Sequence, residues 1–246
     1  MEFYYLNHEN YRSGDVRKAF NCAIDYIGKN RSIEKMTFLV STKSQFDFLD
    51  GLLSPQQLKK GSFNCGNYLV QVKTVRTYEP DYCFEGKDPS ELLMAIAVSP
   101  ADLAKFEDKS DIKACFIVPW TLDENLNFLK VRGAKDMESG EPISEEDDID
   151  NRVVNAINWL KDMAYPNDGY NHPRDIDKLH DMANALSHYH VPLDMVSVER
   201  CARKLGLFPS SAHKTAEAFV EAQKRKLRVT HSMGLAHLKK MMEEKQ

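Results

Sequence analysis

No stretch of this chain approaches the roughly 18 consecutive apolar residues that a membrane-spanning helix needs; the longest candidate, LLMAIAV at 92–98, has the size of a strand. Cysteine is scarce and odd in number, and Cys22, Cys65, Cys83, Cys115 and Cys201 show no CxxC or Cys/His spacing. That argues against a disulfide framework and against a zinc site. With no charged-then-apolar leader at the start, the expectation is a reduced, intracellular, cytoplasmic protein without a membrane partner. Neither GxGxxG nor GxxxxGK[ST] occurs, so a tightly held NAD or an ATPase cycle is not expected, and the cofactor is left unknown. The 11 glycines and 10 prolines are scattered rather than clustered, which excludes long low-complexity segments. What remains is ordinary for a folded chain: 246 residues, 42% hydrophobic and 28% charged, enough for one large domain or two small ones, of which two is the working expectation.

The net charge of −4 hides an uneven layout. Residues 1–135 balance 18 Lys and Arg against 18 Asp and Glu, residues 136–199 set 4 against 15, and residues 200–246 set 11 against 4. A basic end of this kind suits contact with nucleic acid, because neutralising phosphates supplies most non-specific affinity. It suits equally a tail that docks on the acidic segment before it.

Four apolar runs rich in β-branched and aromatic residues read as strands: EFYYLN (2–7), MTFLVST (36–42), LLMAIAVS (92–99) and IKACFIVPW (112–120). Each precedes a helical pattern. Val16, Ala19, Phe20, Ala23 and Ile27 recur at spacings of three and four, as do Phe46, Leu49, Leu52 and Leu53. SPADLAKFEDK and TLDENLNFLKV open with a capping hydroxyl ahead of acidic residues. Four βα units with continuous rather than alternating apolar strands imply a mostly parallel sheet covered on both faces. The fold class expected for residues 1–136 is therefore α/β, a Rossmann-like doubly wound domain, with NYLVQVKTVRTYEPDYCF adding a mixed or edge strand.

In such sheets, ligands sit outside the carboxyl ends of the strands. Those ends offer Asn7, His8, Ser41, Thr42, Lys43, Ser44, Ser99, Trp120, Thr121 and Asp123 as candidates for a small nucleotide-like ligand, although capping alone accounts for every hydroxyl among them. Gln71 and Lys73, two apart on one strand face, resemble the QxK variant of the PD-(D/E)xK nuclease strand. That resemblance implies an acidic metal ligand on the preceding, hairpin-paired strand, whereas Asp47 and Asp50 fall in a segment with helical periodicity.

The composition shifts at KDMESGEPISEEDDID, and residues 137–144 read as an acidic linker ahead of an all-α domain at 145–246. Ser144 and Asp147 form a capping pattern, with Glu145, Glu146 and Asp148 in the first turn of a helix expected over about 145–163. HPRDIDKLHDMANALSHYH (172–190) concentrates four histidines and the pair His180–Asp181, which raises a metal-dependent hydrolase site. At 100° per residue Ile176, Leu179, Ala183 and Leu186 form the buried stripe, while Asp177, Asp181 and His188 face away and no partner motif completes an HD-type site. No metal is expected. Further on, Ala202 and Gly206, followed by a Ser-capped helix near Ser210, resemble a helix-turn-helix unit. Arg200, Arg203, Lys204, Lys214, Lys224, Arg225, Lys226 and Arg228 are its candidate nucleic-acid contacts, while Glu217 and Glu221 face outward on the second helix and oppose phosphate. Met233, Leu235, Leu238, Met241 and Met242 suggest a last packing or dimerising helix.

Three function classes fit this pattern. The favoured one is a regulatory protein whose α/β domain senses a small ligand and whose helical domain contacts nucleic acid or a partner protein. The second is a hydrolase or nuclease acting at the strand ends, with Asn7, His8, Ser41, Lys43, Asp123, Gln71 and Lys73 as candidates and no single residue assigned as catalytic. The third is a structural subunit of a larger complex or homo-oligomer, in which the cleft would be closed by side chains.

Overall fold

The structure, a computed structural model, describes residues 1–8, 11–12, 14–79, 88–107, 111–143, 149–164 and 169–243. The chain forms two compact units, Met1–Ser144 and Glu145–Gln246. Cys83, the Ser144–Asp147 capping pattern with its acidic first turn, and the ends of the segments at 67–84 and 99–109 lie outside the described residues.

The first unit is mixed α/β. Its strands are β1 (Glu2–Tyr5), β2 (Lys35–Val40), β3 (Ser62–Cys65), β4 (Tyr68–Thr74), β5 (Glu91–Ile96), β6 (Ile112–Val118) and β7 (Lys135–Asp136). They form one seven-stranded sheet in the order β3-β4-β2-β5-β6-β1-β7. All neighbours are parallel except the edge pair β3 and β4. The four apolar runs are thus contiguous at the centre, as β2, β5, β6 and β1. Their unbroken hydrophobicity has a direct cause, since alternate side chains enter different cores. Phe38, Met94 and Phe116 join one core with Val16, Ala19, Ala23 and Ile27 of α1 (Asp15–Lys29). Leu39, Leu93 and Ile117 join the other with Leu103 of α3 (Pro100–Ala104) and Phe128 and Leu129 of α4 (Leu122–Val131).

Between β2 and β4 the helical periodicity is realised as a 3₁₀ helix at Lys43–Leu49 and a short α2 (Pro55–Lys60). β4 is a mixed strand, parallel to β2 and antiparallel to β3, which hairpins onto its outer side through the two-residue turn Gly66–Asn67 and takes the edge. The strand that hairpins onto the one carrying Gln71 and Lys73 is Ser-Phe-Asn-Cys and carries no carboxylate. Residues 137–143, expected to begin a linker, instead fold back on β7. Asp136 accepts hydrogen bonds from the Glu138 and Ser139 amides, and the Ile143 amide reaches the Ala134 carbonyl.

The second unit is helical: α5 (Asn151–Met163), α6 (Pro173–Ser187), α7 (Met195–Lys204), α8 (Pro209–Ala222) and α9 (Leu235–Glu243). The helix expected from about 145 begins at 151 instead, capped by Asp150, whose carboxylate accepts the Arg152 amide. α6 is central, packing on α5, α8 and α9; Leu179, Ala183 and Leu186 of the expected stripe are buried, and the stripe is corrected at its first member. Ile176 is exposed, while Asp181, expected on the outer side, is buried. Four polar side chains at 177, 180, 181 and 184 share one face of α6 and clasp the segment that follows α8. Asn184 bonds both the Leu227 amide and carbonyl, His180 meets the Arg228 carbonyl, Asp177 accepts from the Thr230 and His231 amides, and Asp181 accepts from Met233 and Ser232. The His-Asp pair is a device for holding backbone.

Candidate functional site

Every parallel strand of the first unit ends on the same rim of the sheet, so the chain segments that leave them meet there. Two gaps open in that rim. The chain after β2 and after β1 turns to the face covered by α1, and the chain after β5 and after β6 turns to the face covered by α3 and α4. Because β2 neighbours β5 and β6 neighbours β1, adjacent strands twice send their continuations to opposite faces. These are the switch points at which open α/β sheets leave a crevice.

The first crevice, about 430 Å³, is lined by Leu6, Asn7, His8, Arg12, Gly14, Asp15 and Lys18. It lies at the amino end of α1, where the N-cap residue is Gly14, which has no side chain to cap the first turn, and where the Asp15 amide donates to the Arg12 carbonyl; the positive end of a helix dipole favours an anion. Arg12 and Lys18 are exposed. The Asp15 carboxylate is buried and accepts the Arg12 amide at 2.6 Å. His8 is nine-tenths buried; its Nδ1 lies 3.2 Å from Asp15 Oδ2, too bent for a hydrogen bond, and neither ring nitrogen has a hydrogen-bond partner among the described residues. Two cations against one engaged carboxylate leave the crevice net positive.

The second crevice, about 200 Å³, takes in Ser41, Ala97, Ser99, Trp120, Glu124 and Asn125 among its walls. Trp120 stacks on Tyr11 with centroids 5.7 Å apart and an interplanar angle of 7°, and Phe48 closes the cluster at 5.9 Å. The indole still stays half exposed. Ala97 holds φ at +51°, the left-handed region that costs a non-glycine residue energy and that gathers at ligand sites. Ser41 Oγ donates to the Ala97 carbonyl at 3.1 Å, and Ser99 Oγ accepts the Asp102 amide.

Of the candidates drawn from sequence, Asn7 and His8 line the first crevice and Ser41, Ser99 and Trp120 the second. Thr42, Lys43 and Ser44 begin the 3₁₀ helix, with Thr42 Oγ1 2.8 Å from Ser44 Oγ, and Thr121 and Asp123 start α4; these border neither. The structure adds Arg12, Asp15, Lys18 and Asn125. Asn125 had a readable signal, since a polar residue stands three and four positions before Phe128 and Leu129, on the apolar period of its helix. Among the described residues no cluster of three His, Cys, Asp or Glu side chains can hold a metal ion, and no helix is long and apolar enough to cross a membrane.

In the second unit, α7 and α8 form a tight pair. The Leu207 amide bonds the Ala202 carbonyl and the Gly206 amide bonds the Arg203 carbonyl, with Gly206 at φ +89°, a left-handed helix stop. Arg200 is buried, and Arg203 pairs with Glu199 at 3.1 Å. Lys204 is exposed, while Lys214 donates to the Gly169 carbonyl at 2.6 Å. Arg225, though exposed, pairs with Glu221, and Lys224, Lys226 and Arg228 are exposed beside it on the segment after α8. Lys214 lies in the first half of α8 and Lys224 beyond its end at Ala222, so the basic side chains divide into two groups.

Comparison with protein-family models, with curated protein sequences and with solved structures finds no match to this chain.

Proposed function

We propose that the first unit is a Rossmann-like receptor for a small phosphate-bearing, nucleotide-like ligand, and that the second contacts nucleic acid, making the chain a ligand-responsive regulatory protein. The observation that carries the reading is the crevice beside β1, where an uncapped helix terminus, His8, Arg12 and Lys18 converge at a switch point of the sheet. Helix termini and unpaired cations attract phosphate through amide dipoles and direct charge. For the second unit, the support is the helix-turn-helix-like pair α7–α8 with Lys224, Lys226 and Arg228 displayed beyond it. The outward face of α8 carries Glu217 and Glu221, so phosphate contact falls to the clasped segment and not to that face.

Calorimetric titration of the full chain with ribose 5-phosphate tests the receptor. Binding should be measurable and fall at least ten-fold in Arg12→Glu/Lys18→Glu; no heat at millimolar ligand would remove the reading. His8 favours one alternative. A nine-tenths buried imidazole beside a carboxylate, with Nε2 unpartnered among the described residues, has the parts of a general base. Under that reading the chain hydrolyses a nucleotide, and product released on incubation with 5′-nucleotides, lost in His8→Gln, separates the enzyme from the receptor.

A further inference from the structure

We propose that the crevice at the ends of β2, β5 and β6 is a nucleobase subsite selective for adenine, with the Trp120 indole stacking on the base and the Asn125 carboxamide pairing with its N6/N7 edge. The proposal rests on the phosphate reading above and names the base that would accompany the phosphate.

Asn125 is 1% exposed, yet its Oδ1 has no hydrogen-bond partner among the described residues. Leaving a buried amide unpaired is costly, and apolar Phe128 and Leu129 continue the same helix face into the core. A carboxamide kept in such a place, lining a crevice, fits a partner that arrives from outside. The two hydroxyls at the same walls are already engaged, Ser41 with the Ala97 carbonyl and Ser99 with the Asp102 amide. An amide presents one donor beside one acceptor, the complement of adenine N7 and N6, and asparagine pairs with adenine in this way elsewhere. Trp120 supplies an indole already stacked on Tyr11 and still half exposed, and base stacking on aromatic side chains is favourable for any base. Glu124 at this wall disfavours a phosphate here and favours an amino group, which fixes the direction of the ligand. β6 and β5 are the first and second neighbours of β1, so the two crevices stand about 10 Å apart at the usual strand spacing, a span that an extended mononucleotide bridges.

The test titrates the full chain with adenosine 5′-monophosphate, inosine 5′-monophosphate and ribose 5-phosphate, following tryptophan fluorescence. A Trp120→Phe variant separates the Trp120 signal from that of Trp159, the second tryptophan, which is buried in the other unit. The adenine nucleotide should quench Trp120 and bind about ten-fold more tightly than the inosine nucleotide, which lacks the amino group. Asn125→Ala should erase that difference while ribose 5-phosphate affinity and the melting temperature hold. Equal affinity of the three ligands for the parent protein overturns the base subsite and leaves the phosphate reading standing. Failure of all three to bind overturns both. A loss of ribose 5-phosphate affinity in Asn125→Ala would assign Asn125 a structural role and also overturn the proposal. Should that variant not fold, the parent's discrimination between the two nucleotides decides the question alone.

Discussion

His213 shows how one side chain ties the two helices of the α7–α8 pair. Its Nδ1 lies 2.9 Å from Glu199 of α7 and its Nε2 3.5 Å from Glu217 one turn along α8, with Arg203 the nearby cation. The hydrogen bond to Glu199 holds its pKa above the ordinary 6.5, assisted by the charges of Glu199 and Glu217 and opposed by burial and Arg203. Because the folded value exceeds the unfolded one, this contribution is fully present below about pH 6.5 and is lost as pH rises through the folded value. The melting temperature of the parent, measured from pH 5.5 to 8.5, should therefore fall relative to that of His213→Gln; parallel profiles would deny the coupling. The same scale holds the ligand candidates. His8 and Asn125 are conspicuous because each buries polar atoms that the described residues leave unsatisfied, and burial without a partner is the feature that separates them from the hydroxyls that cap helices.

At the scale of elements, α6 and the segment after α8 are the informative pair. Side chains spaced at three and four positions face one way from a helix, and Asp177, His180, Asp181 and Asn184 use that geometry to hold residues 227–233. Asn184 matters most, because its carboxamide serves both the amide and the carbonyl of buried Leu227. Asn184→Ala strands two backbone groups, at a cost of about 1–3 kcal/mol each. Chemical denaturation should register that loss, with faster amide exchange at 227; unchanged stability would show that other contacts hold the segment. The Asp177 carboxyl is held below its usual range first by the Thr230 amide and then by the hydrogen bond and charge of His231, so its hold weakens only in acid.

For the whole molecule, the charge layout and the rim of the sheet set what partners fit. A chain of net charge −4 is repelled by a polyanion unless its cations are gathered locally, and Lys224, Lys226 and Arg228 are exposed together on the segment after α8, beside the Glu221-paired Arg225. Duplex DNA binding through about three phosphates would give a slope near −2.7 in log affinity against log salt. Mobility shifts across a salt series check this, and reversing the three charges should flatten the slope. A steep slope that survives the reversal would move the contact elsewhere on the protein.

Composition and periodicity already determined a great deal. Hydrophobic runs too continuous for a one-sided sheet announced central parallel strands, and β2, β5, β6 and β1 are adjacent in that role. α1 and most of the buried stripe of α6 followed from apolar spacing, because burial of one stripe is what makes a helix persist in water. Strand order, the β3 hairpin, an Asn125 Oδ1 left without a partner among the described residues and the use of His180 and Asp181 to grip a later segment were decided only in three dimensions. Each depends on which distant residues come to lie beside one another, and local periodicity records only which side of an element is buried, never against what.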